Sequence, residues 1–271
     1  MLKGKRLAVL GAGKLGETLI RGLLDARAVD ASRVTVTAAR RERAEGLARE
    51  LGLTASPSNR EAAEAADLVL LSVKPQQVSG VLSEIAEGLR PSQLIISVAA
   101  SVSTAFIEKR LGRPIPVIRA MPNTPALVKK GMTGIARGAH AEKQHLELAR
   151  TIFDAVGRTV VVDEKHLDAI TGLSASGPAF IYIVIESLAE GGVKVGLPRD
   201  LATELAAQTV LGSGAMVLET GEHPARLKDL VTTPAGCTID GILELEEGGL
   251  RVTLIKSVVK AAERAKQLIG G

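Results

Sequence analysis

Three stretches of this chain, LAVL at 7–10, LVLL at 68–71 and LII at 94–96, are apolar at successive positions rather than at every second one. A strand written that way has no face to give to water. It belongs inside a sheet covered on both sides, which is the setting of parallel strands joined by crossover helices. Helical patterns fall between them: GETLIRGLLDA, RERAEGLARELG stopping at Gly52, VSGVLSEIAEGL and STAFIEKRLG. RVTVTAARR, PIPVIRAMPNTP and RTVVVD read as further strands, KKGMTGIARG as another candidate, and AEKQHLELARTIFDAVG as a helix. The alternation predicts an α/β domain on a mainly parallel sheet.

From about Asp163 the pattern changes. EKHLDAITGLSAS, GPAFIYIVIESLAEGGVKVG, PRDLATELAAQTVLGSGAMVLETG, HPARLKDLV and TIDGILELEEGGLRVTLIKSVVKAAERAKQL all read as helical. The expected division is an α/β domain over 1–162 and an all-α domain over 163–271. The apolar faces of GPAFIYIVIESL and LAAQTVLGSGAMVL exceed what a small helical domain can bury alone. Their closely spaced Gly and Ala permit tight helix approach, so an interface between subunits is expected.

Composition narrows the classes. Hydrophobic residues make up 46% of the 271, yet there are only three Phe, one Tyr and no Trp, so the core must be aliphatic. The formal charge of +4 is spread through runs of alternating sign such as RRERAEGLARE. Without clustered basic residues or stacking aromatics, nucleic acid is not an expected partner. The single Cys237 excludes an intrachain disulfide, and the four scattered histidines make no metal site expected. The first residues enter a strand without a secretory pattern. Apolar runs are read as too short to span a bilayer. The expectation is a soluble, cytoplasmic protein without a membrane partner.

GAGKLG, the run Gly11, Ala12, Gly13, Lys14, Leu15 and Gly16, sits between a strand and a helix. In that context G-x-G-x-x-G is the Rossmann dinucleotide fingerprint. The first glycine makes the turn, the second lets backbone approach a pyrophosphate, and the third lets helix pack on sheet. At the end of the second strand, where an acid would hold an NAD ribose, stand Arg40 and Arg41. Guanidinium groups there suit a 2′-phosphate, so NADPH is the expected cofactor. SVKPQQV follows the apolar strand LVLL, at a carboxyl end that overlies the crevice. Pro75 fixes that turn, and Lys74 reads equally as a ligand or a solvated charge.

One late segment, VTTPAGCTIDGIL at 231–243, carries no evident acid, base or metal ligand. It can present free backbone N–H groups and a helix dipole to an anion, with Thr238 either donating its hydroxyl or capping the helix.

Taken in order, GAGKLG, VKPQ, MPNTP, LSASGPAF, EGGVKVGLPR and VTTPAGCTIDGILELE resemble the pyrroline-5-carboxylate reductases over essentially the whole chain. The resemblance implies NAD(P)H-dependent reduction of 1-pyrroline-5-carboxylate to L-proline, and a dimer through C-terminal helices that assembles to a decamer. It implies cofactor contacts from Gly11 to Gly16, near Arg40, and at Asn59, Val73, Lys74 and Pro75. Ala99, Ala100 and Asn123 would lie beside the nicotinamide. Glu164 would stand near the substrate ring nitrogen, or merely favour the start of a helix. Gly236, Cys237 and Thr238 would hold the substrate carboxylate, Cys237 through its amide. Thr238 and Glu164 are the expected catalytic residues. Leu230 stands where some relatives carry Asn at a cofactor contact.

Two rivals share the plan. A 3-hydroxyacid dehydrogenase would need a lysine with an asparagine one turn away, and Lys194 has none: Asn59 and Asn123 are the only two in the chain. A non-catalytic dinucleotide sensor would have no evident need for the segment at 232–238.

Overall fold

The computed structural model describes residue 2 and residues 4–267. The chain forms two compact units. The first runs through Ser176 and resumes at Lys260; the second is Gly177–Val259. The last strand ends at Val161, near the expected division at 162, but the first unit keeps the turns that follow it and also takes the end of the final helix.

In the first unit β1 (Leu7–Leu10), α1 (Lys14–Asp25), β2 (Val34–Thr37), α2 (Arg41–Leu51), β3 (Thr54–Ala55), α3 (Asn59–Ala65), β4 (Leu68–Leu71), α4 (Pro75–Ile85), β5 (Leu94–Ser97), α5 (Thr104–Leu111) and β6 (Val117–Met121) follow in order. Then come β7 (Gly131–Arg137), α6 (Lys143–Asp154), β8 (Gly157–Val161) and α7 (Leu167–Ile170). The eight strands lie in the order β3-β2-β1-β4-β5-β6-β7-β8, parallel except where β7 pairs antiparallel with β6. Leu7 aligns with Val34 on one side and Leu68 on the other. The order reverses between β1 and β4, and a doubly wound sheet binds its ligand at the carboxyl ends around that reversal.

The all-apolar strands behave as their composition requires. Leu7, Val9, Leu68, Leu70, Leu94 and Ile96 face one core, shared with α1, α2 and α6. Ala8, Leu10, Val69, Leu71 and Ile95 face the other, shared with α3, α4 and α5. Period-two alternation thus divides two buried layers rather than core from solvent. Phe153 is fully buried in the first core; aliphatic residues supply the rest.

β3 and α3 were not expected from the sequence. Their stretch, LTASPSNREAAEAAD, offers a two-residue edge strand and a helix whose buried residues are only Ala62 and Ala63. The expected last helix is two, α11 (Cys237–Glu247) and α12 (Leu250–Gln267), divided at Gly248 and Gly249. Gly249 has φ of +69°, left-handed backbone that ends the first helix.

The second unit contains α8 (Gly177–Lys194), α9 (Arg199–Thr220), α10 (Pro224–Val231), α11 and the start of α12. Ala189, Ala202 and Ala206 are its fully buried apolar cluster. A Cβ at Gly192 would stand 3.0 Å from that of Ala202, which shows how closely α8 and α9 approach. Larger side chains, among them Ile183, Leu211, Leu218, Leu243 and Ile255, remain exposed. One expectation needs correction. Glu164–Lys194 and Arg199–Thr220 are each long and apolar enough, by length and composition, to cross a membrane. Runs broken by single charges in the sequence merge into long helices once folded.

Candidate active site

The loops after β1, β2 and β4 enclose a cleft of about 1060 Å³ at the reversal of strand order. Gly11 has φ of +98°, and a Cβ there would fall 2.8 Å from the Ser72 carbonyl oxygen. Gly16 is packing, since its Cβ would meet the Gly11 oxygen at 2.7 Å. Gly13 differs: its Cβ would meet nothing within 4 Å. The missing side chain opens space in front of the α1 N-terminus, whose amide groups have no side-chain cap. That is the room a pyrophosphate requires. The Gly11 and Ala12 amides donate to the Thr37 carbonyl at 3.2 and 2.7 Å, fixing the loop to the end of β2. These residues fit a nicotinamide dinucleotide.

Arg40 lines the cleft from the N-cap position of α2. Arg41 does not; it faces away and donates to Glu45 at 2.6 Å on its own helix. The second guanidinium in the cleft is that of Arg43, which was not singled out from the sequence. Arg40 and Arg43 are three apart, so a helix sets them on one side, whereas an immediate neighbour turns away. Arg43 donates to the Ala12 carbonyl at 3.3 Å and pairs with Glu17. Burial pushes the Glu17 carboxyl up, but hydrogen bonds from Arg21 and Arg43 outweigh it and leave the group below the usual range.

Asn59 also lines the cleft. Its Oδ1 accepts from Thr37 Oγ1 at 2.6 Å, and its Nδ2 donates to Glu84 Oε2 at 2.7 Å. Val73 and Lys74 form the β4 side, with Pro75 as first residue of α4. Ala12, Gly13 and Lys14 line the cleft, while Leu15 packs against the first core.

Ala99 and Ala100 follow β5, one strand further along, and do not line this cleft. Asn123 is occupied. Its amide donates to the Ser174 carbonyl at 3.1 Å, and its Oδ1 accepts from the Met132 amide at 2.9 Å. It holds the end of β6 to the start of β7 and to the turn before α8.

Glu164 already has partners inside the first unit. Its carboxylate accepts from the Thr104 amide at 2.8 Å and the Thr104 hydroxyl at 2.5 Å, and lies 3.4 Å from Arg119. Arg119, on β6 and 3% exposed, also donates to Asp168 at 2.9 Å. A buried guanidinium needs such partners. Glu164 thus ties the α5 N-terminus to Arg119, and a carboxylate keeps acceptor positions beyond these three contacts. Arg119 was not singled out from the sequence, although a lone arginine inside PVIRAM was the available signal.

In the second unit the segment before α11 is a tight turn. Gly236 N–H donates to the Thr233 carbonyl at 2.9 Å, with Pro234 second in the turn and Ala235 third at φ of +57°. A Cβ on Gly236 would stand 2.4 Å from Thr233 Oγ1, so a side chain there would force that hydroxyl to turn away. Gly236 is the N-cap, and no side chain caps α11. Cys237 and Thr238 are therefore the first two helical residues, and Thr238 is not the cap. The turn leaves α11 with donor amides and a dipole facing out.

Residues 6–101 match a family described as NADP oxidoreductase, coenzyme F420-dependent, and residues 164–268 one described as pyrroline-5-carboxylate reductase dimerisation. A pyrroline-5-carboxylate reductase of Methanosarcina acetivorans is 42% identical, aligned over 98% of this chain and 99% of that protein. The chain belongs to the pyrroline-5-carboxylate reductase family. The structure of the reductase from Coxiella burnetii superposes with a TM-score of 0.91 at 37% identity, covering 97% of this chain and 98% of that one. That of Plasmodium falciparum pyrroline carboxylate reductase with NADP bound gives 0.88 at 29% identity, covering 98% of each. As a member of the family, this chain is an NAD(P)-dependent oxidoreductase with a helical oligomerisation region.

Proposed function

We propose that this enzyme reduces 1-pyrroline-5-carboxylate to L-proline with NADPH as its preferred cofactor. Further, it works in the cytoplasm as a homodimer that assembles to a decamer, with no membrane or nucleic-acid partner. The observation that carries the cofactor reading is the cleft, where Gly13 leaves room at a helix N-terminus and Arg40 and Arg43 supply the charge. For the oligomer the support is the match of 164–268 to a dimerisation family, which gives the two long apolar helices a partner other than lipid.

Reduced nicotinamide supplies a hydride. The acceptor is the carbon of a cyclic C=N bond beside a carboxylate. Protonation at nitrogen makes that carbon strongly electrophilic, and hydride addition returns the π pair to the nitrogen as the amine of proline. What remains for the protein is to bind, align and exclude water. Gly11 to Lys14, Arg40, Arg43, Asn59, Val73 and Lys74 hold the dinucleotide, and Ala99 and Ala100 border its nicotinamide. The uncapped amides of Cys237 and Thr238, with the Thr238 hydroxyl and the small Gly236 before them, receive the carboxylate. Glu164 contributes one step removed, by fixing Thr104 and Arg119. This division of labour needs no histidine base.

The test is NADPH oxidation followed with pyrroline-5-carboxylate, NADH in parallel, for wild type and Thr238→Ala. Turnover with NADPH at lower KM than with NADH is expected. The variant should lose at least about tenfold in kcat/KM, the usual cost of a donor to a charged group. No turnover with either cofactor would end the reading, and unchanged kinetics would take Thr238 out of the site.

A further inference from the structure

The loop that follows β5, Val98–Ser103, is pinned at several points by side chains. Ser97 Oγ accepts from the Ala99 amide at 3.3 Å. Ser103 Oγ caps α5 by accepting from the Phe106 amide at 3.1 Å, and Glu164 takes the next amide, that of Thr104. Between these anchors lies Ser101. It is 3% exposed and has φ of +64°, a left-handed conformation that residues with a Cβ keep only when their surroundings impose it. Its hydroxyl donates to the backbone carbonyl of Ala265 at 2.8 Å, 164 residues away.

Ala265 is buried, in the part of α12 that packs with the first unit. A hydroxyl that donates to a carbonyl away from water is held in one place. The hydrogen bond thus holds the loop in the conformation that the backbone alone would resist.

We propose that Ser101 is a positioning residue for hydride transfer: through Ala265 it fixes the left-handed turn that sets Ala99 and Ala100 beside the nicotinamide. This rests on the reading above that places those alanines next to the ring. Cofactor affinity comes from other loops of the sheet, from the glycine loop after β1 and the arginines after β2. Loss of the anchor therefore misaligns the reacting carbon without releasing the dinucleotide, and misalignment falls on the rate.

Two substitutions separate backbone geometry from hydroxyl chemistry. Ser101→Ala keeps the Cβ that disfavours positive φ and removes the anchor. Its kcat should fall at least about fivefold while KM for NADPH stays within about twofold. Ser101→Gly also lacks the hydroxyl but adopts positive φ freely, so its kcat should return to within about twofold of wild type. Should the alanine variant not fold, Ser101→Cys takes its place with the same expected loss, since it retains the volume and the strain but donates poorly. Wild-type kcat in the alanine or cysteine variant overturns the proposal. So does a glycine variant as slow as the alanine one, or a loss confined to KM. Wild-type turnover of pyrroline-5-carboxylate reports separately on the functional reading, so the two can fail independently.

Discussion

Arg43 holds its guanidinium between the Ala12 carbonyl and the Glu17 carboxylate, while Arg40 stands one turn earlier at the start of α2. If the pair recognises a 2′-phosphate, Arg40→Glu and Arg43→Ala should each raise KM for NADPH by about 10- to 100-fold, the worth of a charge-assisted hydrogen bond. NADH, which lacks that phosphate, should change much less; equal effects on both cofactors would refute the assignment. At this scale the sequence was legible where a residue's job is set by its near neighbours. Gly11, Gly13 and Gly16 are such cases, because the turn, the opening and the helix packing all lie within six residues. It was illegible where the partner is remote. Nothing near Glu164 announces Thr104 or Arg119, and nothing near Asn123 announces Ser174 or Met132. Arg41 and Arg43 were confused because a charge run does not say which member turns inward until the helix start is fixed.

Among the elements, α6 begins with a reciprocal cap. Glu142 accepts from the amide of His145, and the Glu142 amide donates to His145 Nδ1 at 2.9 Å. The imidazole must be neutral at that nitrogen to accept. Burial lowers its pKa, with the Glu142 charge opposing in part. The folded value thus lies below the unfolded one, near 6.5. The stability this gives is complete above that pH and is lost as pH falls through the folded value. His145→Gln keeps an acceptor at the third helical position without a titrating group. Its melting temperature should fall less than that of wild type between about pH 7 and pH 5; equal falls would show that the cap does not titrate. The elements missed from the sequence have physical excuses. α3 buries only alanines, so no large apolar residue marks its period. The usable sign was Ser58 with Glu61 three residues on, a pair whose Ser58 Oγ does accept from the Glu61 amide at 3.2 Å. The strands β1, β4 and β5 were plain because being buried on both faces leaves a composition no other environment tolerates.

For the whole molecule the open account is apolar surface. In the single chain Ile183, Leu218, Leu243 and Ile255 lie 58–63% exposed on four different helices. A stable protein interface covers about 1600 Å² in all, and side chains of this kind form its centre. Sedimentation should therefore show two or more chains per particle. A single-chain species at every concentration would contradict the oligomer and reopen the membrane reading of the two long helices. The change from strands to helices was legible because apolar strand patterns stop near residue 162. That α12 returns its last turns to the first unit was not, since its sequence is helical throughout and says nothing about what it packs on.

The position of Tyr182 has an optical consequence. It is the one tyrosine in a chain without tryptophan, and it lies 59% exposed on α8 in the second unit. Ultraviolet emission from the polypeptide therefore originates almost wholly in the helical unit, whereas the blue emission of a bound reduced dinucleotide would originate in the other. Assembly and cofactor loading can be watched at separate wavelengths in one cuvette, without attaching a dye.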